Sequence, residues 1–285
     1  MGNTSSSSSS SSCYNFRKVS PNETYRYLIK INEEGVDRVQ VQHHVFREIL
    51  KDNFSAPIKD TLRQGASVLD LGCGPGIWVC EMAADYKYSM FHGVDYLNIF
   101  PTQKPVNAQF IKANLLKRLP FKDEDFDYVH LRSLVLAFTP DQWEYMIIKE
   151  AVRLLRPNAY IEGLALRDFQ MLVIRTKCIE HNLDPSIILK IPNYLQRCNE
   201  SLKRVYGQEL KVAVGKWGGK MGEIQGDLFV RLLREESKII KRLVKLNAKE
   251  YEEFIENFIQ ELNTHTVYIT WHKYWAKKDL HVQSN

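Results

Sequence analysis

The segment Ser67 to Gly76, SVLDLGCGPG, constrains this chain more than any other, because an apolar β-type run passes without a break into a turn carrying Gly72, Gly74 and Gly76. Glycine reaches positive φ without steric cost and lets a backbone come close to a ligand, which a Cβ would prevent. A strand that ends in such a turn and continues into helix-like residues from Ile77 is the context of a nucleotide-type loop. The spacing discriminates among ligands. A dinucleotide fingerprint would place its third glycine where Ile77 stands, and a phosphate-cradling P-loop would require Gly-Lys followed by Ser or Thr; neither is present. Asp70, ahead of the turn, suits a ligand ammonium group and repels a pyrophosphate.

The surrounding pattern alternates strand and helix. Val36, Val39, Phe46, Ile49 and Leu50 recur at helical spacing between Glu33 and Asn53, which predicts an N-terminal cap helix. Strands are expected at Ser67–Leu71, Met90–Val94, Gln109–Lys112, Phe126–Leu131 and Tyr160–Leu164. Helices are expected at Ile77–Tyr86 and Asp141–Leu155. The sum is an α/β, doubly wound, Rossmann-like fold with a mostly parallel sheet. After Leu166 the pattern is helical at Phe169–Asn182, Pro185–Val205, Gly226–Leu246 and Ala248–Asn263. The β-type runs Leu210–Val214 and Thr266–Trp271 are expected to pair as an antiparallel hairpin split by a helical insertion. The predicted organisation is a Ser-rich tail over 1–20 and one domain over 21–285, with its core at about 60–166, a helical region at about 167–265 and a last strand at about 266–277.

Bulk properties narrow the classes. The 39 basic and 34 acidic residues are interspersed, so the net charge of +5 draws no basic stripe of nucleic-acid type. Five cysteines without a CxxC pair predict reduced thiols and a cytoplasmic or nuclear setting. The eight histidines fall in no metal-ligand spacing, so no metal is expected. The serine run Ser5–Ser12 reads as a tail, and its opening fits N-myristoylation at Gly2, with Cys13 as a second acyl position; the implied membrane contact is reversible.

The ligand set follows from strand ends. Asp95 closes the second predicted strand, where an acid can accept hydrogen bonds from both ribose hydroxyls. Asn114 follows the third strand and can bond an adenine edge while Leu115 packs on its face. Histidine is the side chain that titrates near working pH, so His130 and His44 are the candidate bases. Trp217, Trp271 and Trp275 are candidates for an acceptor pocket.

VLDLGCGPGIW, the acid at Asp95, NLLKRLPFKDEDFDYVHLRSL and EAVRLLRPNAYIE resemble, in order over about residues 65 to 165, the successive motifs of class I S-adenosylmethionine-dependent methyltransferases. Tyr25-Arg26-Tyr27, Arg38 to His44, Val214 to Gly218 and Trp271 to Lys277 further resemble fungal members related to methyltransferase-like regulators of secondary metabolism. The resemblance implies a seven-stranded sheet and S-adenosylmethionine held by Asp70, Gly72, Cys73, Gly74, Gly76, Asp95, Tyr96, Asn114 and Leu115. It also implies His130, Arg132 and Ser133 on the methionine and acceptor side. It departs from the family at Pro157-Asn158-Ala159, where Pro-Gly-Gly is usual, and at Gly163 to Arg167, where acids often stand. The activity implied is methyl transfer to a small-molecule or protein acceptor. A regulatory subunit with a protein partner and little turnover is the alternative. The place after the fourth strand holds His-Leu-Arg-Ser rather than the Asn/Asp-Pro-Pro-Tyr/Phe of adenine and glutamine N-methyltransferases.

Overall fold

The computed structural model describes residues 33–166, 178–202 and 204–280. Its strands β1 (Ser67–Leu71), β2 (Met90–Asp95), β3 (Ala108–Lys112), β4 (Phe126–Arg132), β5 (Leu155–Leu166), β6 (Val205–Val214) and β7 (Val267–Lys277) form one sheet. Their order is β3-β2-β1-β4-β5-β7-β6. β1 to β5 are parallel, and β7 runs antiparallel between β5 and β6. The order reverses between β1 and β4, and in open α/β sheets the crevice at the carboxyl ends of the strands at such a reversal is where ligands bind.

Helices cover both faces. α1 (Glu33–Leu50), α2 (Lys59–Gln64) and α3 (Ile77–Asp85) come from the first part of the chain. α4 (Pro140–Gln142) runs through a π-turn at Trp143–Ile147 into α5 (Ile148–Leu154). α6 (Ile191–Cys198) follows, and α7 (Gly219–Glu235), α8 (Ser237–Val244) and α9 (Ala248–Thr264) lie between β6 and β7. On one face Trp143, Ile148 and Ala151 pack on Val129, Leu131 and Ile161. On the other Trp78, Val79 and Met82 of α3, with Leu62 of α2, cover Val68, Phe91 and Tyr128. Burying each large side chain of this kind contributes about 1.5–3 kcal/mol, so the central strands are the most strongly held part of the fold.

The seven-stranded sheet, the cap helix and the late helical insertion inside a β6–β7 hairpin all match the expectation. Several boundaries differ. β5 begins at Leu155 rather than Tyr160, because Asn158 takes the left-handed backbone (φ 66°) that an Asn tolerates and the strand continues through it. The predicted helix Pro185–Val205 is a 3-10 turn at Ile187–Leu189, the short helix α6 and a second 3-10 turn at Glu200–Leu202, and Val205 already belongs to β6. The predicted helix Gly226–Leu246 is α7 and α8, with α7 starting earlier. Gly219 and Gly222 open it; an added Cβ on Gly222 would stand 2.3 Å from the Gly215 carbonyl oxygen, so close packing, not helix breaking, explains that glycine. The predicted helix Phe169–Asn182 lies largely outside the described residues, as do the Ser-rich tail, Gly2 and Cys13.

Candidate cofactor site

The loop after β1 is built as its glycines required. Gly72, Gly74 and Gly76 have φ of 72°, 55° and 75°, a region L side chains enter only at a cost of about 1–2 kcal/mol. Added Cβ atoms at Gly72 and Gly76 would collide with Leu134 and the Phe110 ring, whereas one at Gly74 would project into open space. The turn is pinned by its neighbour strand: the Gly72 and Cys73 N–H groups donate to the Val94 carbonyl at 2.8 and 3.1 Å.

Asp95 ends β2 directly beside this turn. Its Oδ2 accepts from the Gly74 N–H at 2.8 Å and its Oδ1 from the Leu97 N–H at 2.9 Å. Each oxygen retains a lone pair. Burial pushes this carboxyl up to about 6 despite the amide donors that favour its ionised form. Asn114 spends its Oδ1 on the Leu116 N–H at 2.9 Å, so its amide NH2 is the end it can offer a ligand, as a donor.

A cleft of about 520 Å³ joins these groups. Gly72, Asp95, Tyr96, Asn114 and Leu115 line it, together with Leu134, Phe138, Thr139, Gln142 and His181. The size and the mix of apolar walls with a few convergent polar groups are those of a small-molecule site. Asp95, Asn114 and Leu115 offer two acceptors for a vicinal diol, one donor for a ring nitrogen and an apolar face. The residues therefore fit an adenosyl group. Thr139, Gln142 and His181 are not among the expected site residues. Thr139 and Gln142 form a reciprocal cap at the start of α4, which an S/T-x-x-Q pattern could have indicated.

Other expected site residues are placed elsewhere. Asp70 and His130 are 4% and 3% exposed and face each other across adjacent strands, with Asp70 Oδ1 2.8 Å from His130 Nδ1. The His130 ring lies flat on Trp78, centroids 4.0 Å apart. This imidazole is held on two sides within the core and is not among the cleft's lining groups. His44 is exposed on α1. Its neighbour His43 is buried instead, contacting Glu81 of α3 and accepting from Arg132 Nη2 at 3.0 Å. Arg132 thereby binds α1, with its guanidinium also 5.2 Å from the Phe46 ring centre. Cys73 is half-buried in the loop, its thiol pushed well up by burial and the nearby acids. Trp217 donates to the Val214 carbonyl at 2.8 Å, and Trp275 stacks on Tyr206.

Glu162 of β5 was not anticipated. It is 1% exposed and accepts from the Ser55 and Ala56 N–H groups at 2.8 and 2.7 Å and from the Tyr128 hydroxyl at 3.0 Å. It thus fastens the loop after α1 to the sheet.

Residues 68–158 match the family model described as "Methyltransferase domain". The secondary metabolism regulator LAE1 of Cochliobolus heterostrophus is 24% identical over 166 residues, covering 58% of this chain and 52% of that protein. The methyltransferase pytC of Aspergillus terreus is 30% identical over 128 residues, covering 44% of this chain and 37% of that protein. The chain spans about half the length, or less, of the curated relatives it matches. Among solved structures, a putative methyltransferase from an antibiotic biosynthesis pathway of Anabaena variabilis shares the fold with a TM-score of 0.51 at 14% identity, covering 83% of this chain and 99% of that one. With the glycine turn, the Asp95 strand end and the 3-2-1-4-5-7-6 sheet in place, residues 68–158 form a methyltransferase domain within a class I methyltransferase fold, and the chain is similar to the LaeA-like regulators of secondary metabolism.

Proposed function

We propose that this protein transfers a methyl group from S-adenosylmethionine to a small-molecule or protein acceptor. The observation that carries the reading is the 520 Å³ cleft in which the glycine turn, Asp95 and Asn114 converge at the switch point of the sheet. When bound, S-adenosylmethionine supplies an electrophilic methyl group on a positively charged sulfur. Asp95 would accept from the ribose hydroxyls, Asn114 would donate to the adenine edge, and Leu115 would pack on the base. Gly74 leaves room for close backbone approach. Displacement at a methyl carbon needs alignment and exclusion of water more than a dedicated base, and alignment of this kind contributes several kcal/mol, within the roughly 7–11 kcal/mol range of well-oriented reactions. This matches a site from which His130 and His44 are both withdrawn.

Labelled methyl donor incubated with the protein and fractionated cell extract tests the reading. Transfer in wild type that is lost in Asp95→Ala and Gly74→Arg supports it; label that persists in both variants sinks it.

A second reading is a regulatory subunit that binds cofactor and a protein partner with little turnover. It is supported by the likeness to the secondary metabolism regulators LAE1 and laeA. Cofactor binding without transfer to any extract fraction would favour it. Under either reading we place the protein in the cytoplasm or nucleus, with reversible membrane contact where Gly2 is acylated. Incorporation of an azido-myristate label, lost in Gly2→Ala, tests that contact.

A further inference from the structure

The residues after β4 border two hollows. Leu134, Ala137 and Phe138 line the cofactor cleft, whereas Ser133, Val135 and Leu136 line a second cavity of about 70 Å³. α1, α7 and the start of β7 complete its wall through Gln42, Gln225, Leu228 and Trp271. Arg38, which also borders it, is paired with Glu235 at 3.2 Å, so its charge is already met.

Two groups in this wall are unusual. Gln225 and Trp271 are each 3% exposed, and Gln225 Oε1 and Trp271 Nε1 have no hydrogen-bond partner among the described residues. One is an acceptor and the other a donor. Buried polar atoms are nearly always paired, and an unpaired one destabilises the fold. The helix backbone that carries Gln225 is fixed in place. The Gly215 N–H donates to the Gly222 carbonyl at 2.8 Å, one turn earlier on α7, where the two backbones touch. Trp271 is held by Phe46, edge to face at 4.5 Å.

We infer that this cavity, separate from the cofactor cleft, binds the hydroxyl end of a small uncharged molecule. A hydroxyl is the neutral group that both donates, here to Gln225 Oε1, and accepts, here from the Trp271 indole N–H. A water requires about 10–15 Å³, so the cavity takes a hydroxyl and a few carbons. A lysine ammonium would bring a charge that no unpaired carboxylate in this wall could meet.

Phenol serves as probe, with benzene and benzoate as controls, read on the indole N–H signals of the nitrogen-15-labelled full chain. The chain has five tryptophans, and the Trp271 signal is the one missing in Trp271→Phe. Phenol should move that signal, benzene and benzoate should leave it in place, and Gln225→Leu should weaken phenol binding at least tenfold without lowering the melting temperature. The assignment is overturned if phenol leaves the signal unmoved, if benzene moves it at the same concentration, or if Gln225→Leu binds phenol as wild type does. Titration of the same sample with S-adenosylhomocysteine separates the two readings. Cofactor binding with an unmoved Trp271 signal overturns the cavity assignment and leaves the methyltransferase reading standing, whereas absent cofactor binding removes the latter.

Discussion

Arg132, the last residue of β4, donates from Nη2 to Nδ1 of His43 on α1 at 3.0 Å. Nδ1 is therefore the acceptor nitrogen, and Nε2–H is left to donate to Glu81 of α3, which also takes Arg47. One neutral imidazole thus ties the cap helix to the sheet and to the helix that follows the glycine turn.

Burial pushes His43 down to about 4. An unfolded imidazole titrates near 6.5, so between these values the unfolded chain binds more protons, and the stability due to His43 is present above pH 6.5 and lost as pH falls toward 4. The full loss is about 3 kcal/mol. Asp95, an acid raised by burial, acts in the opposite sense, its contribution falling as pH rises through about 6. His43→Gln keeps an acceptor and a donor without titrating, and the comparison cancels Asp95. Urea unfolding at pH 7 and pH 4.5 should show wild type losing about 2–3 kcal/mol more than His43→Gln.

Asp95 sets a pH dependence of its own. Ribose hydroxyls need acceptor oxygens, and protonation near pH 6 removes acceptor strength from a charge-assisted pair. Affinity for S-adenosylhomocysteine should fall about tenfold between pH 7.5 and 5, corresponding to about 1.4 kcal/mol. In Asp95→Asn the affinity should be lower throughout and flat with pH, as read by calorimetry.

What was legible in the chain follows from how far each relationship reaches. β1 to β4 were readable because buried parallel strands are short apolar runs with turn signals at their ends. The glycine turn and Asp95 were readable because spacing within a few residues of a strand end defines them. Asp70 with His130, His43 with Glu81 and Ser55 with Glu162 join residues 60, 38 and 107 positions apart, and nothing local marks them as partners. His44 rather than His43 drew notice for the same reason: which of two adjacent histidines faces inward is decided by packing on α3 and β4. The start of the insertion helix is not legible because Gly222 looks like a breaker until Gly215 is seen against it.

Gly74 and Gly76 should separate binding from folding. At Gly74 an added Cβ meets no atom within 4 Å, so Gly74→Ala should cost about 1 kcal/mol of stability from its φ of 55°, and under the proposed close approach of the cofactor to this backbone it should weaken cofactor binding at least tenfold. At Gly76 the Cβ would lie 2.3 Å from the Phe110 ring. Gly76→Ala should therefore destabilise by about 2–4 kcal/mol. Denaturant midpoints and calorimetric affinities on both variants check the contrast.

Glu162 should matter for folding and not for the cofactor. Its carboxylate accepts three donors, and a glutamine in its place must turn an NH2 toward at least one of them. Glu162→Gln should lose about 2–4 kcal/mol in urea unfolding, with S-adenosylhomocysteine affinity within about twofold of wild type wherever the protein is folded.

Calorimetric titration of the intact protein with S-adenosylhomocysteine bears most directly on the cleft bounded by Gly72, Asp95 and Asn114, beside which Gly74 stands. Binding at a single site in wild type that disappears in Gly74→Arg is the expected result. No binding in wild type at millimolar ligand, or the same affinity in Gly74→Arg, would contradict the assignment of that cleft to the adenosyl cofactor.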